Sequence, residues 1–397
     1  MALPPSAEGG PRAAPWPESA AAPLVAPIQP SAAYVARDPD ALDAIYGGTA
    51  PGFTYLREGA PNALALARRL DAMEGAAGGI VTGSGMAAVT LAALATLKAG
   101  DHAIGAAGLY GRSLRLFEEE LPRLGIATTL ADATDAGAVA GALRPGTRLV
   151  LVEPVANPTL RIADMAGISA ALEGTGTLLA VDNTFTTPRA FRPLAAGADL
   201  VIHSVTKLLA GHSDVTLGYV GARDPALAGR LAGLAATLGL TPSAIDCWLA
   251  ERGLLTFDLR FDRAEANARA LAAHLAGRAG VRAVIYPGRD DHPEAARARA
   301  LFGARTGNML SLRLAGGRAA ANAFVRAAGL PFAPTLGDVA TTLSHPLSSS
   351  HRAVAPEALA ALGLGEGFLR VSVGIEAPDW LCARVDAGLA ASVKAGG

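Results

Sequence analysis

Between residues 62 and 255, short apolar runs with no polar face alternate with stretches of helical spacing, and this pattern constrains the fold more than any other feature of the chain. A strand covered on one side alternates apolar with polar residues, whereas a strand buried on both sides is apolar throughout. The runs over 147–153, 177–182 and 199–203 are of the second kind, and each ends in polar residues. They predict a mostly parallel sheet between helices. In open α/β sheets ligands gather at the carboxyl ends of strands, so the residues just after these runs are where chemistry is expected.

Past about residue 256 the pattern changes. A helix over 262–278 precedes strands over 281–286, 309–314 and 369–373, and in the 309–314 run Leu310, Leu312 and Leu314 alternate with Ser311 and Arg313. That alternation predicts a sheet covered on one face only. The fold class is therefore α/β, with a large domain over 62–255 and a smaller α+β domain over 256–397. A chain of 397 residues exceeds one comfortable core, in agreement with this division. The first 23 residues are rich in Pro and Ala, lack the basic start and apolar stretch of a secretion signal, and read as a disordered tail.

Composition narrows the partners. No run approaches the roughly 20 apolar residues of a membrane span, and a net charge of −1 with 17% charged residues disfavours nucleic acid. Cys247 and Cys382 have no metal-ligand spacing and read as buried small hydrophobes of a reduced, cytoplasmic protein. No metal is expected.

Only three lysines, Lys98, Lys207 and Lys394, stand against 31 arginines. Lys98 and Lys394 lie near predicted helix ends, where the dipole accounts for them. Lys207 instead follows an apolar strand in a turn rich in Ser, Thr, Gly and His. An amine whose pKa is lowered by burial and a nearby cation can attack a carbonyl, which arginine cannot do. Asp182 ends the preceding strand, where a carboxylate can pair with a protonated pyridine nitrogen. Ser204 and Thr206 offer hydroxyls to phosphate oxygens. A glycine turn over 82–86, between a short strand at 79–81 and a helix running to about Lys98, brings backbone N–H groups and a helix N-terminus to an anion. The same glycines also fit a lone dinucleotide pattern over 83–88 of an NAD-dependent oxidoreductase, but the acidic residue expected at the end of the next strand, 103–107, is missing.

Together the segments Val181-Asp-Asn-Thr-Phe-Thr-Thr-Pro188 and His203-Ser-Val-Thr-Lys-Leu-Leu-Ala-Gly-His-Ser-Asp214 resemble the lysine signature of the Cys/Met-metabolism (trans-sulfuration) family of pyridoxal 5′-phosphate enzymes. The resemblance covers about residues 25 to 395. It implies a fold-type I, aspartate aminotransferase-like transferase with a seven-stranded sheet. By the same resemblance Lys207 holds the cofactor as a Schiff base, Asp182 holds the pyridine nitrogen, and Ser204, Thr206, Gly85 and Met86 bind phosphate. Tyr110 stacks on the ring and assists proton transfer, and Asn157 lies near the phenolic oxygen. Tyr55 and Arg57, in an N-terminal arm over 24–61, reach the phosphate of a neighbouring subunit, which implies a homotetramer of active dimers. The arm departs from the family pattern at Ala60-Pro61-Asn62, where many members have Asn-Pro-Thr. Arg370 grips the substrate α-carboxylate, Thr341 takes the place of a serine that assists it, and Arg115 matches an arginine used for a distal carboxylate. A non-catalytic paralogue would not need Lys207, Asp182, Tyr110 and Arg370 together.

These parts imply γ-elimination or γ-replacement on a sulfur-containing amino acid, of cystathionine γ-lyase or γ-synthase type. Arg115, and Arg112 where methionine γ-lyases have cysteine, favour cystathionine. Ala340, in place of a glutamate common in cystathionine enzymes, points the other way. Methionine γ-lyase and O-acylhomoserine sulfhydrylase activities are the alternatives.

Overall fold

The computed structural model describes residues 19–396 apart from 353 and 355. Most of the predicted tail, residues 1–18, lies outside the described residues, and 19–23 are exposed without regular structure. Seven strands form one sheet: β1 (Gly78–Thr82), β2 (His102–Ala106), β3 (Ala127–Ala131), β4 (Thr147–Val152), β5 (Leu178–Asp182), β6 (Leu200–Ser204) and β7 (Gly218–Ala222). Their order is β1-β7-β6-β5-β4-β2-β3, and β7 alone runs against the rest. The three apolar runs read from the sequence become β4, β5 and β6, the adjacent parallel strands at the middle of the sheet. Both faces are covered, since Leu149, Val150, Leu151, Val152, Ala180, Val181, Leu200, Val201 and Ile202 are all buried. The carboxyl ends of β5 and β6 therefore deliver Asp182 and Ser204 side by side.

A second, antiparallel sheet of order β10-β11-β9-β8 is built from β8 (Val281–Ile285), β9 (Met309–Leu314), β10 (Thr342–Ser344) and β11 (Phe368–Ser372). The expectation of one solvated face does not hold. Ser311 is fully buried, Arg313 is half-buried, and every residue of β11 is buried. The reason is tertiary: the Ser311 hydroxyl donates to the Pro158 carbonyl at 2.7 Å, so the polar face of this sheet rests on the loop after β4. Arg370 stands opposite Ser311 across the β9–β11 ladder and so faces the same loop. Ser311→Ala would leave that carbonyl without its partner, and we expect about 1–3 kcal/mol lower unfolding free energy in urea titration. An unchanged midpoint and slope would show that the contact between sheet and loop is unimportant.

The helix expected over 262–278 spans Phe257–Leu275. Phe257 and Phe261 pack in the core of the large sheet, whereas Leu271 and Leu275 pack in that of the small one. Burial at both ends thus shifts the helix towards its N-terminus, and Gly277, at φ 75°, ends it. The segment before residue 62 is pinned by two side chains. Asn62 accepts from the Gln29 N–H at 2.9 Å and donates to the Pro27 carbonyl at 3.0 Å, and Trp248 donates to the Ala26 carbonyl at 2.8 Å.

Candidate active site

Gly85 opens the helix Gly85–Thr96 with Ser84 as its cap, the Ser84 hydroxyl accepting from the Ala87 N–H at 3.1 Å. A Cβ at Gly85 would lie 2.8 Å from Cβ of Ser204, so only glycine lets the helix start sit on the end of β6. The N–H groups of Gly85 and Met86 and the hydroxyl of Ser204 make no hydrogen bond among the described residues. Two free amides at a helix N-terminus beside a free hydroxyl are a cradle for an anion. Thr206, assigned to the same task, already accepts from the Leu217 N–H at 3.0 Å and donates to its carbonyl at 3.1 Å.

Asp182 presents a carboxylate at the mouth of β5. Its Oδ1 accepts from the Thr184 hydroxyl at 2.5 Å and N–H at 3.1 Å, whereas Oδ2 has no partner among the described residues. Burial raises its pKa, and the two bonds from Thr184 and the charge of His203 oppose that rise. Behind it a buried network joins His203 Nε2 to Glu74 Oε1 at 2.5 Å and Asn183 Nδ2 to the same oxygen at 3.0 Å.

The Lys207 amine is half-buried and donates to Thr335 Oγ1 at 3.2 Å. Burial first, and the positive charge of Arg370 second, lower its pKa from the ordinary lysine value. The turn that carries it is clamped by Arg260, a buried guanidinium that donates to the carbonyls of Leu208 (2.8 Å), Leu209 (2.9 Å) and Gly253 (2.9 Å). Arg370 donates to Asn157 Oδ1 at 2.8 Å and to the Thr335 carbonyl at 2.7 Å. It is 5% exposed, its Nε is unsatisfied, and it has no acidic partner among the described residues. Burial pulls its pKa down to about 10. A buried cation without a counter-ion is costly unless something anionic completes it.

Tyr110, exposed by 38%, begins the helix Gly111–Arg115, and its N–H donates to Glu153 Oε1 at 2.6 Å. Glu153 is buried near Asp182, and burial pushes its carboxyl well above the ordinary range. The structure thus brings Lys207, Asp182, Ser204, Gly85, Met86, Tyr110, Asn157 and Arg370 to one end of the large sheet. Other expected residues stand apart. Thr341 is fully buried, its hydroxyl donating to Glu376 at 2.8 Å and accepting from the Gly374 N–H at 2.9 Å, because the chain folds it inward. Arg115 is exposed on its helix and paired with Glu119 at 2.9 Å. Tyr55 and Arg57 stack on each other at 4.9 Å on the exposed arm. Sequence reading gave no role to Thr335, which bonds both Lys207 and Arg370, to Glu153, or to the buried His351. The His351 pKa is depressed to about 4 by burial and the charge of Arg370.

These residues fit pyridoxal 5′-phosphate in the chemistry of their open groups: an amine of lowered pKa, a carboxylate oxygen without a donor, free amides with a free hydroxyl, and an unpaired guanidinium. The model of the Cys/Met metabolism PLP-dependent enzymes matches residues 13–390. The chain is 38% identical to cystathionine beta-lyase MetC of Bacillus subtilis over 82% of its own length and 83% of that protein's. It is 36% identical to L-methionine gamma-lyase of Pseudomonas putida over 93% of each chain. The crystal structure of cystathionine gamma synthase from Xanthomonas oryzae pv. oryzae in complex with cystathionine superposes with a TM-score of 0.88 at 39% identity, covering 94% of both chains. A seven-stranded, mostly parallel sheet, a lysine in the turn just past its sixth strand and a match along nearly the whole chain agree with one another: this chain belongs to the Cys/Met metabolism family of pyridoxal 5′-phosphate-dependent enzymes.

Proposed function

We propose that this enzyme carries out γ-elimination or γ-replacement on a sulfur-linked amino acid, with cystathionine as the first substrate to test. The observation that carries the reading is Arg370, a buried cation with no acidic partner among the described residues, joined through Thr335 to Lys207. When bound, pyridoxal 5′-phosphate supplies an aldehyde for a covalent link and a ring that withdraws electrons from the substrate Cα. Arg370 holds the α-carboxylate and so fixes the Cα proton against Lys207. Lys207, its amine kept neutral more readily by burial and by Arg370, takes that proton and hands it on. Asp182 Oδ2 would hold the ring nitrogen, while the Ser204 hydroxyl and the amides of Gly85 and Met86 would hold the phosphate; Thr206, whose hydroxyl is bonded both ways to Leu217, would brace that turn. Tyr110 would stack on the ring and assist proton transfer at the leaving sulfur, and Asn157, whose Oδ1 accepts from Arg370, would sit beside the phenolic oxygen.

The exposed Tyr55–Arg57 pair supports an arm over 24–61 that completes a neighbouring subunit's phosphate site, in a homotetramer of active dimers with a large domain over 62–255 and a small one over 256–397. Both thiols, Cys247 and Cys382, are free, which supports a cytoplasmic setting. No helix among the described residues is long and apolar enough to cross a membrane. One observation favours a second reading: Arg115, the candidate for a distal carboxylate, is turned to Glu119. Methionine, or an O-acylhomoserine whose acyl group is uncharged, has a single carboxylate and is then the better fit. Supplying the PLP-loaded protein with cystathionine, methionine, homocysteine and O-acylhomoserine, with and without cysteine, decides the matter. We expect 2-oxobutanoate from cystathionine. No product there, with turnover of an acylhomoserine plus thiol, moves the assignment to a synthase.

A further inference from the structure

Thr184 lies two residues after Asp182, where β5 opens towards Lys207. A hydroxyl has one proton and two lone pairs. The Ser204 N–H donates to the Thr184 oxygen at 2.8 Å, and among the described residues the one acceptor for the hydroxyl proton is Asp182 Oδ1, at 2.5 Å. The direction of the chain is therefore fixed: Ser204 N–H to Thr184 Oγ1, and Thr184 O–H to Asp182 Oδ1. The Thr184 N–H adds a second bond to the same oxygen at 3.1 Å. Oδ1 is thus taken twice, and Oδ2 is the oxygen left open.

We infer that Thr184 is a positioning residue, which ties the Asp182 carboxylate to the end of β6 and presents Oδ2 alone to a cationic ring nitrogen. The inference rests on the proposed role of Asp182. It adds the device that orients this carboxylate and keeps it ionised despite burial. Two other titratable groups face Asp182: Glu153, beyond the end of β4, whose charge would repel it, and His203, on β6, whose charge favours its ionised form. Thr184 acts in the same sense as His203 by donating two hydrogen bonds to the charged form. The competing account is a local turn, in which the Thr184 N–H alone matters and the hydroxyl is incidental.

Thr184→Val separates the two, because it removes the hydroxyl and keeps the N–H and the branched shape. In the PLP-loaded protein we expect about tenfold weaker cofactor retention, the size of one hydrogen bond to a charged group. The acid limb of cofactor retention, followed by visible absorption, should move to higher pH, since losing the donor lets the Asp182 pKa rise. Thr184→Ser should restore both to within about twofold of the original. If Thr184→Val does not fold, Thr184→Ala serves with the same readouts. Unchanged retention and an unchanged acid limb in the hydroxyl-free variant overturn the inference, provided that Asp182→Asn still weakens retention. A Thr184→Ser variant as impaired as Thr184→Val also overturns it, because the methyl would then be the part that counts. If Asp182→Asn itself leaves cofactor retention and absorption unaltered, the role of Asp182 falls, and the inference built on it falls too.

Discussion

Replacing Lys207 with Ala should abolish the reducible link to the cofactor and lower turnover by about 10⁴-fold, the scale on which a positioned acid–base group contributes. No other lysine can stand in. Lys98 follows the helix Gly85–Thr96, Lys394 lies in the last turn of Pro378–Gly396, and both are exposed. Borohydride reduction of the PLP-loaded protein followed by peptide mass mapping should place the adduct on Lys207. An adduct on Lys98 or Lys394, or full activity in Lys207→Ala, would sink the assignment. The cofactor-free protein gives an independent check through stability. Folding depresses this amine's pKa, so protonation below the ordinary lysine value of 10.5 favours the unfolded chain. Lys207 therefore opposes folding most at pH below its folded pKa, and least as pH rises past the unfolded value. Lys207→Met should raise the cofactor-free melting temperature at neutral pH, with the gain shrinking as the pH approaches 10.5.

How much of this was legible in the sequence depends on how far apart the partners lie. The apolar runs that become β4, β5 and β6 announce themselves because burial on both faces is written into consecutive residues. Asp182 and Lys207 follow from strand ends for the same reason. β7, short and with a glycine at two of its five positions, carries no comparable apolar run, although it is the strand that reverses direction. The polar face of β9 misled because alternation records residue type and not what covers a face: Ser311 is buried by a loop 153 positions away. Thr335 reaches Lys207 across 128 positions, and nothing in the 331–340 segment marks it. Arg115 and Thr341 both match a motif, and in the fold their polar groups meet Glu119, four positions on, and Glu376, 35 positions on.

Arg370→Ala tests the claim that the unpaired guanidinium recognises substrate and leaves the cofactor's colour to other residues. Truncating one member of a buried charge pair costs about 2–5 kcal/mol, so kcat/KM should fall by about 10²- to 10³-fold, mostly through KM. Cofactor absorption should persist, because Arg370 bonds Asn157 and the Thr335 carbonyl while the Asp182 carboxylate is held by Thr184. Arg370→Lys should recover little, since an ammonium cannot span two carboxylate oxygens as a planar fork does. The pH dependence adds a signature that loss of packing alone would not give. The charge of Arg370 is the second cause depressing the Lys207 amine and also the second cause depressing His351. Removing it lets both pKa values rise: the limb of the rate profile that requires neutral Lys207 moves to higher pH, and the His351 resonance titrates above its original value of about 4. Loss of cofactor colour in Arg370→Ala, or an unmoved pH profile beside a raised KM, would mean that this guanidinium supports the fold of the site and leaves the substrate carboxylate to another group.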